Sequence, residues 1–351
     1  MLFGSGGANV MLGGSGTDTI VSESAEGDVI DGGEGSDTLH LYRDALDLPL
    51  AFSIADPAVQ QVLADGTTLV NIEKLFVKSG GGDDSISGGM LGDVIYAGGG
   101  DDTLYGDKGY DILFGENGND WINGGPGAGA MSGGAGNDFL TSEAAGDELD
   151  GGIDVDKLGI GREGTTLGLT LSLADPEAVL TLADGTVAQN FEQLVFWGGS
   201  GVDTITGGAL ADSIDGGGGN DVLAGGGGED KLYGGPGYDI LHGGDEADDL
   251  YVGNANGEPT ATAVTTMSSS PTDRSWCATI PRPACFISMA ARASTRCITT
   301  RTCCLSRSRC RSPIRMRSSR SRPVRPSRAS RCSTTTAATA STPSPAAPSP
   351  M

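Results

Sequence analysis

A nine-residue clock constrains this chain more than any other feature. In the stretch GGGDDTLYGDKGYDILFGENGNDWINGG (98–125), Asp102, Asp111 and Asp120 recur every nine residues. Leu104, Leu113 and Ile122 follow each Asp by two, and Gly100, Gly109 and Gly118 precede it by two. The clock runs through Asp84, Asp93, Asp102, Asp111 and Asp120, skips at Gly129, and resumes at Asp138, Asp147 and Asp156. It restarts at Asp203 and continues through Asp212, Asp221, Asp230, Asp239 and Asp248, and an earlier set is Asp18, Asp28 and Asp37. One aliphatic residue per nine, flanked by polar residues, predicts a three-residue strand with period-2 alternation. The remaining six residues, G-G-x-G-x-D in ideal form, predict a tight turn that needs the positive φ open to glycine.

A three-residue strand cannot stand alone. Two nine-residue units make one flattened coil of 18 residues with a strand on each side, and stacked coils bury each other's aliphatic column. The predicted fold is therefore all-β: a right-handed parallel β-roll, a two-sheet solenoid. Units n and n+2 then share a side, with their aspartates about 4.8 Å apart. Unit charges at that distance repel by roughly 1 kcal/mol in water and about 3–4 kcal/mol at an effective dielectric of 20. A column of carboxylates thus opposes folding unless a cation intervenes. Ligands that are all oxygen, from carboxylates and free carbonyls, suit Ca²⁺ rather than zinc or copper. His40 and His242 are too far apart to form a metal site and read as solvent-facing residues at strand ends.

The segments GGSGTDTIV (13–21), GENGNDWIN (115–123), GGAGNDFLT (133–141) and GGGGNDVLA (216–224) resemble the repeats-in-toxin (RTX) nonapeptide G-G-x-G-x-D-x-U-x of hemolysin-type calcium-binding proteins. The resemblance covers most of residues 4–252. It implies a secreted bacterial protein that holds several Ca²⁺ ions between turns n and n+2. The implied metal residues are Asp18, Asp37, Asp84, Asp93, Asp102, Asp111, Asp120, Asp138, Asp147, Asp156, Asp203, Asp212, Asp221, Asp230, Asp239 and Asp248, with the turn glycines Gly82, Gly100, Gly109, Gly118, Gly136, Gly201, Gly219, Gly228 and Gly237. About nine inter-turn sites result when each side is counted separately. Leu91, Ala145, Asp154, Leu210 and Glu246 replace the glycine two before the Asp, and Gly129 removes a carboxylate and weakens the two intervals beside it.

A longer period overlies the short one. IADPAVQQVLADGTTLVNIEKLFVKSGGGDDSISGG (54–89) matches LADPEAVLTLADGTVAQNFEQLVFWGGSGVDTITGG (173–208) at an offset of 119. The chain divides into a short repeat block (1–40), a strand-rich insert (41–78), a β-roll block (79–159), a second insert (160–197), a β-roll block (198–258) and a tail (259–351). In the inserts Leu48, Leu50, Phe52 and Ile54 alternate, as do Leu167, Leu169, Leu171 and Leu173. Asp65-Gly66, Asp184-Gly185, Asp56-Pro57 and Asp175-Pro176 predict turns. The inserts are wider coils or spacers, and a surface or carbohydrate partner would dock there.

Composition sets the limits. The formal charge of −24 excludes nucleic acid and anionic membrane as partners. No 18-residue apolar run exists, so no membrane-spanning helix is expected. Neither H-E-x-x-H nor G-x-S-x-G is present, and catalysis is not expected. Residues 259–351 contain no Gly or Lys, a single acid (Asp273), 15 of the 22 basic residues and all seven Cys. Gly and Asp codons read out of frame in a GC-rich gene yield this Arg/Ser/Pro/Thr/Ala mixture, so the tail reads as a disordered frameshift product that lacks any C-terminal signal for a type I exporter. The expected function is calcium binding with calcium-coupled folding outside the cell. The alternatives are an adhesin or matrix spacer, or the repeat part of a secreted RTX hydrolase or toxin.

Overall fold

The computed structural model of the chain describes residues 1–252 and the main chain of 274–277. The described residues are strand, turn and bend without helix, wound as a parallel β-solenoid of about 14 turns. The period of 18 is the register of the sheets: Leu104 pairs with Ile122, Ile122 with Leu140 and Leu140 with Leu158 on one side. Ile95 pairs with Leu113, Leu113 with Met131 and Met131 with Leu149 on the other. These side chains form one narrow column whose members are fully buried or nearly so. Burial of one aliphatic side chain contributes about 1.5–3 kcal/mol, so no single coil stabilises itself and neighbours supply the rest.

Strand length departs from the three-residue expectation on one side. Ser85–Ser87, Thr103–Tyr105 and Trp121–Asn123 have three residues, but Val94–Gly99, Ile112–Asn117 and Ala130–Ala135 have six. The glycines that follow these longer strands keep their ladder hydrogen bonds into the turn.

Each insert hands the solenoid from one pair of sheets to the next. Thr38–Tyr42 continues to Lys74–Lys78 and then to Val94–Gly99. The opposing strand Val29–Asp31 is followed by Thr68–Val70, while Ala51–Ser53 opens a new sheet that continues at Ser85–Ser87. The second insert repeats this: Lys157–Gly161 continues to Gln193–Trp197 and Ser213–Asp215, Glu148–Ile153 is followed by Val187–Gln189, and Thr170–Ser172 opens the sheet continued by Thr204–Thr206.

The Asp-Gly turns form: Gly66 has φ +86°, and the Thr67 N–H donates to Asp65 Oδ1 at 2.8 Å. Leu50, Phe52 and Ile54 are buried as expected, but Leu48 and Leu167 are 47% and 46% exposed. The buried alternation starts at Leu50 and Leu169, whose N–H groups bond to Asp84 Oδ1 and Asp203 Oδ1 and join the stack there. His40 sits in mid-strand rather than at a strand end, half-buried on the outer face, with its ring 5.1 Å from Phe76. Phe76 continues to Tyr96 at 6.0 Å and Tyr96 to Phe114 at 4.7 Å. His242 also lies within a strand, Ile240–Gly244. The last described strand, Arg274–Cys277, pairs in parallel with Asp249–Val252. The remainder of 259–351, and with it the frameshift and disorder expectation, lies outside the described residues.

Candidate metal-binding turns

Every repeat places its Asp immediately before a strand, at the end of the six-residue turn. The turn carries that carboxylate inward, so Asp102, Asp111, Asp120, Asp138 and Asp156 are at most 2% exposed. One oxygen has a fixed role. The N–H of Asp84 donates to Asp102 Oδ1 at 2.7 Å, Asp102 to Asp120 at 2.8 Å, Asp120 to Asp138 at 2.8 Å and Asp138 to Asp156 at 2.8 Å. The same bond links Asp18 to Asp37, Asp93 to Asp111, Asp203 to Asp221, Asp221 to Asp239, Asp212 to Asp230 and Asp230 to Asp248. Even the gap keeps it: Gly129 donates its N–H to Asp147 Oδ1 at 2.9 Å.

The other oxygen is left over. Among the described residues, Oδ2 is buried without a hydrogen bond in Asp37, Asp84, Asp102, Asp111, Asp120, Asp138, Asp156, Asp203, Asp221, Asp230 and Asp239. An unpaired buried carboxylate oxygen is costly, and this structure repeats it coil after coil. In nine of the eleven the Oδ2 lies against the first glycine of its own turn, while Asp84 and Asp102 have Ser79 and Ala97 at that position. A Cβ at Gly106 would come within 2.6 Å of Asp111 Oδ2 and 2.7 Å of the Gly124 carbonyl oxygen. At Gly115 it would strike Asp120 Oδ2 and reach 2.8 Å from the Gly133 carbonyl oxygen. At those nine aspartates the carboxylate oxygen, and at the majority of them a carbonyl oxygen of the next coil, thus converge on space that glycine leaves open.

The electrostatics follow from this convergence. Burial, reinforced by the neighbouring carboxylates of the column, pushes Asp102, Asp120 and Asp156 up to about 7 and Asp230 up to about 8, although a backbone hydrogen bond works against it. Asp93 and Asp239 rise to about 7, and Asp111, Asp138, Asp212 and Asp221 to about 6, with burial the first cause in each. Asp84, Asp147 and Asp203 are raised for the same reason. Such columns need positive charge to remain ionised.

The structure does not treat all predicted aspartates alike. Asp93 and Asp212 use both oxygens, Oδ1 for Leu75 and Leu194 and Oδ2 for the N–H groups of Gly89 and Gly208. Asp147 Oδ2 accepts from Ser142 Oγ at 2.6 Å. Asp18 is only half-buried. Of the turn glycines, Gly100, Gly109, Gly118, Gly136, Gly219 and Gly228 have φ between +97° and +149°. Gly82, Gly201 and Gly237 lack that conformation and are required by the neighbouring coil's backbone instead: a Cβ at Gly82 would lie 2.5 Å from Pro49 N.

Two ladder residues carry Glu in place of Asp. Glu73 Oε2 accepts the Asp37 N–H at 2.8 Å and Glu192 Oε2 accepts the Asp156 N–H at 2.8 Å. Each stands immediately before an insert strand, Lys74–Lys78 or Gln193–Trp197, where a repeat would place its Asp. The carboxylates of Asp156, Glu192 and Asp212 therefore follow one another on a single side. The available signals were the N-Ile-Glu-Lys and N-Phe-Glu-Gln match between the two inserts and the 36-residue interval, a multiple of nine, from Asp37 and Asp156. Asp28, on the clock but outside the assigned set, is fully buried and bonded to Asn9 and Ser22.

Among the described residues no cluster of three or more His, Cys, Asp or Glu side chains could hold a metal by itself. The turns can hold one only by pairing a carboxylate with main-chain carbonyls. That all-oxygen donor set, negatively charged and glycine-lined, fits a hard divalent cation of the calcium type. No curated protein matches the sequence. A family model described as the RTX calcium-binding nonapeptide repeat (4 copies) matches residues 1–20, 24–44, 96–131, 127–158, 197–232 and 224–257. Those segments contain the turns whose carboxylate oxygens converge on the glycines, and the chain belongs to the RTX hemolysin-type calcium-binding repeat proteins.

Proposed function

We propose that this chain is a secreted, non-enzymatic β-roll module whose repeat blocks fold when Ca²⁺ enters the turns. The supporting observation is the series of buried, unbonded Asp Oδ2 atoms along the columns. Bound calcium would supply the positive charge that lets neighbouring aspartates remain ionised at close range. The residues that would hold it are Asp84, Asp102, Asp120, Asp138 and Asp156 on one side, Asp111 on the other, and Asp203, Asp221, Asp230 and Asp239 in the last block, with the carbonyls of their turns. The Asp N–H ladder orients each carboxylate, and the glycines admit it.

Without calcium, repulsion along the columns keeps the repeats open, which suits passage through a type I exporter. Millimolar calcium outside the cell then couples binding to folding. Extracellular calcium modules have dissociation constants of about 10⁻⁴–10⁻³ M. We place the module boundaries at 41–78 and 160–197 for the inserts. Isothermal titration calorimetry of the full chain tests the reading. Several Ca²⁺ ions per chain with sub-millimolar to millimolar affinity, and no heat with Mg²⁺ at the same concentration, is the expected result. An absence of calcium heat would overturn it.

A further inference from the structure

Two intervals of the stack already contain a cation. Arg43 and Arg162 follow equivalent strands in the two modules, Thr38–Tyr42 and Lys157–Gly161, and are 2% and 5% exposed. Arg43 pairs with Asp65 through Nε at 2.6 Å. Its Nη1 donates to the Ser22 and Tyr42 carbonyls, and its Nη2 to Ser22 Oγ at 3.0 Å and Thr67 Oγ1 at 3.1 Å. These bonds engage all five guanidinium donors. Ser22 Oγ in turn donates to Asp28 Oδ2 at 2.7 Å. The second module repeats the arrangement. Arg162 Nε meets Asp184 at 2.7 Å, and its Nη2 meets Ser142 Oγ at 3.1 Å and Thr186 Oγ1 at 2.9 Å, while Ser142 Oγ donates to Asp147 Oδ2.

The position of these clusters gives them meaning. Thr67 and Thr186 stand directly before the strands Thr68–Val70 and Val187–Gln189, the place where a repeat carries its Asp. At Thr186 the column that holds Asp111 and Asp147 ends, and at Thr67 the column in which Asp28 follows Asn9 ends. Asp28 or Asp147 is closed by a serine hydroxyl that the guanidinium backs, whereas Ser79, before Asp84, bonds the Tyr96 and Ala97 carbonyls instead and, among the described residues, has no arginine behind it. Resting on the calcium reading above, we propose that Arg43 and Arg162 are tethered cations that take the place of calcium at the final interval of one column in each module. The coils they join are then metal-independent folding nuclei, from which calcium-dependent winding spreads in both directions.

Hydrogen exchange of the full chain, read by mass spectrometry in EGTA and in 5 mM Ca²⁺, tests this. In EGTA, amides of 22–28, 63–68, 142–147 and 182–187 should exchange at least about tenfold more slowly than those of 115–120 and 225–230, and calcium should slow the latter pair. Arg162→Met should remove the EGTA protection of 142–147 and 182–187 and leave 22–28 and 63–68 unchanged, with Arg43→Met doing the reverse. Calcium protection of 225–230 in each variant reports that the chain still folds, and the wild-type contrast stands even if a variant does not. Equal, rapid exchange of all these segments in EGTA, with calcium protecting all of them, would overturn the arginine proposal and leave the calcium reading standing. Equal protection of all of them in EGTA would overturn the calcium reading and, with it, the distinction drawn for the arginines.

Discussion

Replacing Asp120 by Asn should change the sign of its effect on stability when calcium is added. Asp120 lies in mid-column, its Oδ1 accepting the Asp102 N–H and its own N–H donating to Asp138. The Asn carbonyl preserves the first bond, so the ladder survives while the charge at Oδ2 goes. In chelator, two repulsions across coils about 4.8 Å apart are relieved. Each is about 1 kcal/mol in water and about 3 kcal/mol at an effective dielectric of 20, so the variant gains at least about 2 kcal/mol. In 2 mM Ca²⁺ the two intervals beside residue 120 lose a charged ligand. With a dissociation constant of about 10⁻⁴ M, each ion contributes about 2 kcal/mol, so the variant loses up to about 4 kcal/mol before the relieved repulsion is counted. Far-UV circular dichroism measures the two values, by osmolyte-driven folding with trimethylamine N-oxide in EGTA, where the repeats start open, and by urea unfolding in calcium, with the exposed Asp101→Asn as a control. A loss of the same size in EGTA and in calcium would refute the reasoning, because Asp120 would then serve the fold through its hydrogen bonds alone.

Other perturbations separate the roles within a turn. Leu113→Ala, at a fully buried column position, should cost about 2–5 kcal/mol in calcium-saturated urea melts without changing calcium stoichiometry. Gly106→Val puts a branched side chain, larger than the Ala97 and Ser79 that stand at the same position before Asp102 and Asp84, against Asp111 Oδ2 and the Gly124 carbonyl, and calorimetry should show at least one ion fewer per chain. In EGTA the open repeats should fold progressively as pH falls from 8 to 5. Its folded aspartates titrate near 7, with Asp230 near 8, above the ordinary carboxylate value. The folded state therefore binds protons that the unfolded state releases, and stability is lost as pH rises through those values. In millimolar calcium the dependence should reverse, because protons and metal compete for the same oxygens; far-UV circular dichroism in EGTA and thermal melts in calcium across that pH range measure the two.

Much of this structure is legible in the chain because the physics is local and repeated. The spacing of Leu104, Leu113 and Ile122 determines which side chains turn inward, and the 18-residue register follows from alternating sides. The same spacing separates Asp102 and Asp120 from Asp111 and so resolves one apparent row of acids into two. What the chain conceals depends on how the inserts cross the stack. Glu73 and Glu192 substitute for an aspartate with a longer side chain; they keep the clock, each 36 residues after Asp37 or Asp156, but a search for Asp alone passes over them. Arg43 and Arg162 are ordinary basic residues in sequence, and only the return of Thr67 and Thr186 to the column places a buried acceptor beside them. The distinction between Asp93, closed by the Gly89 N–H, and Asp102, left with a free oxygen, is marked in the chain only by a departure from G-G-x-G-x-D: Asp93 and Asp212, the two closed this way, follow Leu91 and Leu210 where the pattern has glycine.

The most direct test of calcium-coupled folding is the far-UV circular dichroism of the full chain as free Ca²⁺ rises from EGTA to 10 mM. The β-sheet signal should be small in chelator, limited to the arginine-joined coils, and should grow severalfold with a midpoint between about 10⁻⁴ and 10⁻³ M. A β-sheet signal already complete in EGTA and unchanged by calcium would contradict it.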